Sequence, residues 1–136
     1  MPCTDDRTRR WTRRSRAVPD AVADIRHALV RHTETIGATS RVLDAIALAV
    51  TEAATNAVLH AFVGVAPGHI AVTAELVEDR RLAVLVADDG LGMVPRPDSS
   101  GLGLGLPLIT QLAQRVQIGR SADGGTAVRM EFELDG

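Results

Sequence analysis

The segment His69-Ile70-Ala71-Val72-Thr73-Ala74-Glu75-Leu76-Val77 alternates with a period of two. Ile70, Val72, Ala74 and Leu76 fall on one side, and Ala71, Thr73, Glu75 and Val77 on the other. Successive side chains of a strand point to opposite faces, so the pattern describes a strand with one strongly apolar face. A polar turn, Glu78-Asp79-Arg80-Arg81, leads into Leu82, Val84 and Val86, which completes a hairpin. A sheet that is apolar on one side only is covered by helices on that side alone.

Upstream, the period lengthens. Pro19 and Asp20 suit the first turn of a helix whose apolar stripe is Val18, Val22, Ile25, Leu29 and Ile36, with Gly37 as its stop. Ser40 is the expected N-cap of a second helix running to about residue 62. Its buried face should be Leu43, Ile46, Ala47, Val50, Ala54, Ala57, Val58 and Ala61. Gly64, Pro67 and Gly68 then break the chain. Downstream of the hairpin, residues 88–105 are rich in Gly, Pro and Ser and read as loop, and residues 105–116 as a third helix. A last hairpin turns at Asp123-Gly124-Gly125 and closes with Val128, Met130, Phe132 and Leu134. Arg129, Glu131 and Glu133 occupy that strand's other face. Helices, hairpin, helix, hairpin favours a two-layer α/β sandwich over a doubly wound parallel sheet. The expected class is α+β: a mixed, mostly antiparallel sheet covered on one face by about three helices. The expected organisation is a basic N-terminal arm over residues 1–16, including an edge strand, and a single domain over residues 17–136.

Composition narrows the function classes. Of the 136 residues, 46% are hydrophobic but only 2% aromatic, so the core must be packed with aliphatic side chains around Trp11, Phe62 and Phe132. A single cysteine, Cys3, excludes an internal disulfide and a Cys-based zinc cage. The arginine-bearing N-terminus is followed by no apolar stretch, so no secretory leader is expected. The apolar residues 45–66 are interrupted by Glu52, Asn56 and His60, which argues against a membrane span. A cytoplasmic setting follows as the expectation. All fifteen basic residues are arginine. With no lysine, neither a Walker-A loop nor a strand-lysine protein kinase can be built. Six arginines lie in the first sixteen residues, while residues 17–136 hold nine against fifteen acids. A basic arm on an acidic body suits nucleic acid or an acidic partner, and a solvated tail leading into an edge strand is the simpler account. With only Trp11 available there to stack on bases, direct nucleic-acid binding is not expected.

Three segments could carry chemistry. On the second helix, Glu52, Asn56 and His60 recur one turn apart, roughly opposite the apolar stripe. Ala45, Ala49 and Ala53 beside them would let a ligand approach the backbone, and Leu48 and Leu59 would suit a pocket wall. An alanine-rich exposed face accounts for the same residues equally well. The second segment is Asp88-Asp89-Gly90-Leu91-Gly92, after a strand. A carboxylate there can accept a hydrogen bond from an exocyclic amine such as that of adenine, and the glycines would let a flat ring lie on the backbone. Alone, the segment signals only a turn. The third is Gly101-Leu102-Gly103-Leu104-Gly105-Leu106, opening a helix. Its spacing is not that of the dinucleotide fingerprint. Free N–H groups at a helix N-terminus favour phosphate, although a glycine-rich linker explains the run as well.

Taken in order, and joined by Gly125-Thr126 in the last hairpin, these segments resemble the GHKL (Bergerat-fold) ATPases. The closest likeness is to bacterial anti-sigma factors that are serine-protein kinases. Residues 50–61 look like the N box, 86–93 like the first glycine box and 101–108 like the second. The resemblance implies ATP and Mg²⁺ as ligands. Asn56 would bind Mg²⁺, and Glu52 would be the general base. Asp88 would hold the adenine amine with Thr126. Gly90 and Gly92 would line the base, with Met93 ending that box. Gly101, Gly103, Leu104 and Gly105 would form the phosphate loop. His60 reads as a surface histidine. The partners implied are a sigma factor and an anti-anti-sigma (STAS) protein phosphorylated on serine or threonine, and a homodimer is the oligomer such a family suggests. One departure stands out: kinases of this branch carry an arginine just before the second glycine box, where this chain has Ser99 and Ser100, with Arg96 nearby. The rival readings are a non-catalytic nucleotide-sensing or partner-binding module of the same fold, and a histidine-kinase catalytic domain. The latter needs a phospho-accepting histidine, and neither His27 nor His32 is followed by an acid.

Overall fold

The computed structural model describes residues 9–60, 68–78, 80–90, 105–122 and 124–136. Gly92, Met93, Gly101, Gly103 and Leu104 lie outside them, as do Phe62, Arg96, Ser99, Ser100 and the side chain of His60. The elements are β1 (Arg10–Arg16), α1 (Pro19–Thr35), α2 (Ser40–His60), β2 (His69–Glu78), β3 (Arg81–Asp88), α3 (Gly105–Leu112), β4 (Arg115–Arg120) and β5 (Thr126–Glu133).

α1 begins as its sequence implies. Val18 is extended at the N-cap, Pro19 enters the first turn and Asp20 places an acid near the positive end of the helix. The helix closes at Ile36, and Gly37 follows with φ +88°, a conformation that glycine adopts at little cost. Its buried residues are Ala21, Ile25, Leu29 and Thr33. Thr33 is tolerated inside because its hydroxyl donates to the Leu29 carbonyl at 2.8 Å.

α2 departs from expectation in two ways. Its cap is Thr39, not Ser40: the Thr39 hydroxyl oxygen accepts from the Val42 amide at 3.3 Å, and its carbonyl accepts from Leu43 at 2.9 Å. Its buried side is also wider than one stripe. Val42, Ile46, Ala49, Ala53 and Asn56 form a buried line beside Val50, Ala54 and Ala57. Leu43, Ala47 and Val58, expected inside, are only half-buried. The cause is position, since α2 touches α1, α3, β3 and β5. Ala49 and Ala53 are therefore core contacts, not an open approach to the backbone. The segment Ser40–Leu59 is long and apolar enough to cross a membrane by length and composition. Val42, Ile46, Ala49, Val50, Ala53 and Ala57 of it lie in the core, while Leu48 and Leu59 are exposed.

The sheet order is β1-β2-β3-β5-β4, and every described pairing is antiparallel. The expected mixed sheet is thus wholly antiparallel among the described residues. β5 inserts between β3 and β4, so β3 and β4 run the same way without pairing. α3 stops at Leu112, short of the expected residue 116, and Val116 instead pairs with Met130. The apolar inner faces of β2, β3 and β5 offer the helices a surface of Ile70, Val72, Ala74, Leu82, Val84, Val86, Val128, Met130 and Phe132. Trp11 of β1 is half-buried and stacks on His32 of α1 at 6.0 Å between ring centres.

Candidate functional site

Asp88 ends β3 with its side chain on the helix-covered face, the parity of Leu82, Val84 and Val86. It is 5% exposed. A carboxylate so placed needs donors, and two backbone amides supply them: Oδ1 accepts from Gly90 at 2.9 Å and from Thr126 at 3.3 Å. Its second oxygen, Oδ2, accepts nothing from the described residues. Burial pushes the carboxyl above the ordinary carboxylate range, with a smaller upward push from Asp89, while the two amides pull it back. A carboxyl acceptor with Oδ2 unpaired among the described residues, at the end of a buried strand, can receive an N–H donor from a flat polar ring.

Gly125 makes this arrangement sterically feasible. A Cβ there would lie 2.6 Å from the Asp88 carbonyl carbon and closer still to its carbonyl oxygen and to the side-chain Oδ1. Only a glycine lets the β5 backbone pass so near. Thr126, the first residue of β5, is 2% exposed. Asp89 plays a part that the sequence reading did not assign. Its Oδ1 accepts from the His69 amide at 2.8 Å, which ties the end of β3 to the start of β2. The amide bond from His69 is the largest cause holding its carboxyl below the ordinary range. The Asp-Asp doublet was the available signal: one acid faces in, its neighbour faces out.

Asn56 lies on α2, 7% exposed, with no side-chain hydrogen bond from the described residues. Glu52, one turn earlier, is half-buried. α3, whose first residue is Gly105, packs along α2. The described residues thus join Asp88, Gly90, Gly125 and Thr126 directly, while Glu52, Asn56 and Gly105 belong to the helical layer and share no described hydrogen bond with them. No cluster of three or more His, Cys, Asp or Glu suited to a metal occurs among the described residues.

Residues 15–132 match the family described as the histidine kinase-like ATPase domain. The chain belongs to that family. Among curated proteins, this histidine kinase-like ATPase domain is similar to the anti-sigma F factor of Clostridium acetobutylicum, 26% identical over 100 residues, covering 65% of this chain and 68% of that protein. The anti-sigma F factor of Pasteuria penetrans is 29% identical over 96 residues (62% and 64%), and that of Shouchella clausii 27% over 96 (62% and 65%). The aligned part of the domain spans about two thirds of the length of these relatives. Among solved structures, the RsbU and RsbW domains of a Mycobacterium tuberculosis protein superpose with a TM-score of 0.73 at 23% identity, over 92% of this chain and 32% of that one. That likeness speaks for the fold. The histidine kinase domain of a blue-light activated histidine kinase from Erythrobacter litoralis gives 0.62 at 27% identity, over 85% and 60%. The two-layer α+β sandwich and the GHKL resemblance both stand, and family membership implies nucleotide binding.

Proposed function

We propose that this chain is an ATP-binding anti-sigma regulator that phosphorylates a serine or threonine of a STAS-type antagonist and holds a sigma factor when that antagonist is absent. The observation that carries the nucleotide part is the buried Asp88 carboxylate, fixed at Oδ1 by the Gly90 and Thr126 amides and unpaired at Oδ2 among the described residues. The regulatory part is supported by the relatives named anti-sigma F factors. A regulator of that kind works in the cytoplasm.

Asp88 would accept the exocyclic amine of adenine through Oδ2, with Thr126 beside it and Gly90, Gly92 and Met93 along the ring. The N-terminal turn of α3 at Gly105, with Gly101, Gly103 and Leu104 before it, would offer N–H groups to phosphate. Asn56 fits a Mg²⁺ ligand. It is a buried amide with no described partner, and Mg²⁺ is commonly held by few protein oxygens while waters and phosphates complete its shell. Bound Mg·ATP would supply the phosphoryl group and its charge neutralisation. Glu52, one helical turn away, would take the proton from the acceptor hydroxyl.

Calorimetric titration with ATP, with and without Mg²⁺, tests the site. Asp88→Asn should weaken binding by about ten- to a hundredfold, the worth of a charge-assisted hydrogen bond. Asn56→Ala should bind ATP without a metal requirement. If the folded wild type ignores ATP and ADP, the nucleotide reading fails. Radiolabel transfer to a STAS protein tests the kinase reading, and Glu52→Gln should abolish transfer while leaving binding intact. Binding without transfer in the wild type would favour the non-catalytic module, a reading that the serines in place of the family's arginine also support.

A further inference from the structure

β1 is an edge strand, and its outer side pairs with nothing among the described residues. Its register on β2 shows which backbone groups are left over. The Ala17 amide donates to the Gly68 carbonyl at 2.9 Å. Antiparallel pairs alternate between bonded and non-bonded, so Ser15, Arg13 and Trp11 bond to β2 opposite Ile70, Val72 and Ala74. The N–H and C=O groups of Arg10, Thr12 and Arg14 therefore point outward, together with the Arg16 N–H. The Arg16 carbonyl already accepts from Val18 at 2.9 Å.

The residues with outward backbone also share a face. Arg10, Thr12, Arg14 and Arg16 stand opposite Glu75, Thr73, Ala71 and His69, on the side of the sheet away from the helices. All four are exposed. With Arg9 and Arg13 they give five arginines and no acid over residues 9–16. None of the five makes an ion pair within the described residues, not even Arg10 opposite Glu75.

We propose that the outer edge of β1 docks an extended acidic segment of a partner protein by strand addition. Added strands bond to an edge through main-chain groups and are selected by side chains on alternate residues. On an antiparallel partner, the residues facing Arg16, Arg14 and Arg10 are the first, third and seventh of a stretch, and carboxylates at those positions meet a guanidinium each. A second copy of β1 is disfavoured because arginine would face arginine. Charged edges do protect sheets against indiscriminate pairing. That protection works by like-charge repulsion, so the same edge admits a segment of opposite sign. Nucleic acid is the poorer match, because Trp11, the one aromatic on the strand, is occupied by its stack on His32. This inference does not rest on the nucleotide site.

The test uses the full chain and a fluorescent, end-capped peptide, Glu-Thr-Glu-Thr-Thr-Thr-Glu. Anisotropy should show saturable binding that weakens with salt. The triple variant Arg10→Gln, Arg14→Gln, Arg16→Gln, all at exposed positions, should lose about tenfold in affinity, the sum expected of three cross-strand ion pairs. The same peptide with alternate amides N-methylated should not bind. In NMR hydrogen exchange, bound peptide should slow the amides of Arg10, Thr12 and Arg14 while leaving those of Trp11 and Arg13 unchanged. Equal binding of the N-methylated peptide would reduce the effect to charge alone and overturn strand addition. Tighter binding of a DNA oligonucleotide that displaces the peptide would overturn the choice of partner, and unchanged affinity in the triple variant would overturn the proposal outright.

Discussion

Asp88 is a buried carboxyl whose Oδ1 accepts from the Gly90 and Thr126 amides. Burial raises its carboxyl pKa, so the folded chain holds that proton more tightly than the unfolded chain does. A group of this kind contributes stability that is full below its unfolded pKa and lost as pH rises through its folded pKa. Asp88→Asn keeps an oxygen for the Gly90 and Thr126 amides without the charge. Urea unfolding at acid and at neutral pH should show the variant gaining on the wild type as pH rises, and a gap that stays constant would contradict the reading. ATP affinity should move the other way, weakening as acid protonates Asp88. Gly125→Ala forces a methyl into the Asp88 backbone and should cost about 1–3 kcal/mol, read as a lowered Tm. Gly119→Ala, where an added methyl meets nothing within 4 Å, is the matched control and should leave Tm nearly unchanged.

Between elements, short polar contacts fix where α1 ends and where α2 begins. Thr39 caps α2 through Val42, and its hydroxyl also donates to the Gly136 carbonyl at 3.1 Å. Thr39→Ala should destabilise by about 1 kcal/mol in denaturant titration, with Thr39→Ser recovering most of it. At the other end of the α1–α2 connection, Arg80 donates to the Ile36 carbonyl at 3.2 Å and to the Gly37 carbonyl at 3.0 Å while pairing with Asp135 at 2.6 Å. It ties the β2–β3 turn to the end of α1 and to the chain terminus. Arg80→Ala should speed amide exchange first at Ile36, Gly37 and Ala38, ahead of any change in the sheet. These contacts explain why the start of α2 was legible only to within a residue. Thr39 and Ser40 are equally good caps as residue types, and the choice between them depends on the packing of Val42 beneath.

Across the whole molecule, the core is almost entirely aliphatic. Ile25, Leu29, Ile46, Ile70, Leu82 and Ile109 are fully buried, and Phe132 is the buried aromatic among the described residues. Ile46 sits on the helix that touches the other helices and the central strands. Ile46→Ala should therefore cost about 2–5 kcal/mol, measured by urea unfolding, because a helix held on several sides cannot collapse into the cavity. On the opposite face of the sheet, Arg81 bridges Glu131 and Glu133, and Arg129 pairs with Glu131, which satisfies a nearly buried carboxylate without a covering layer.

By itself, the sequence determined the elements whose signal is local. The period-two run 69–77, the strand ends at Glu78 and Arg81, the Pro19 start and Gly37 stop of α1 and the positive φ of Gly124 in the last hairpin all appear where the residues imply. It also supplied the ordered motif set that identifies the family, because chemical identity and order survive in one dimension. Tertiary structure alone decided the rest. A periodic stripe assumes one buried side, whereas α2 is enclosed by neighbours contributed from both directions of the chain. β5 pairs with β3 as well as with β4, its hairpin mate, and the β3 pairing joins residues more than a loop and a helix apart. The bond from the Thr126 amide to Asp88 spans 38 positions of sequence, and no local pattern encodes the closure that brings them together.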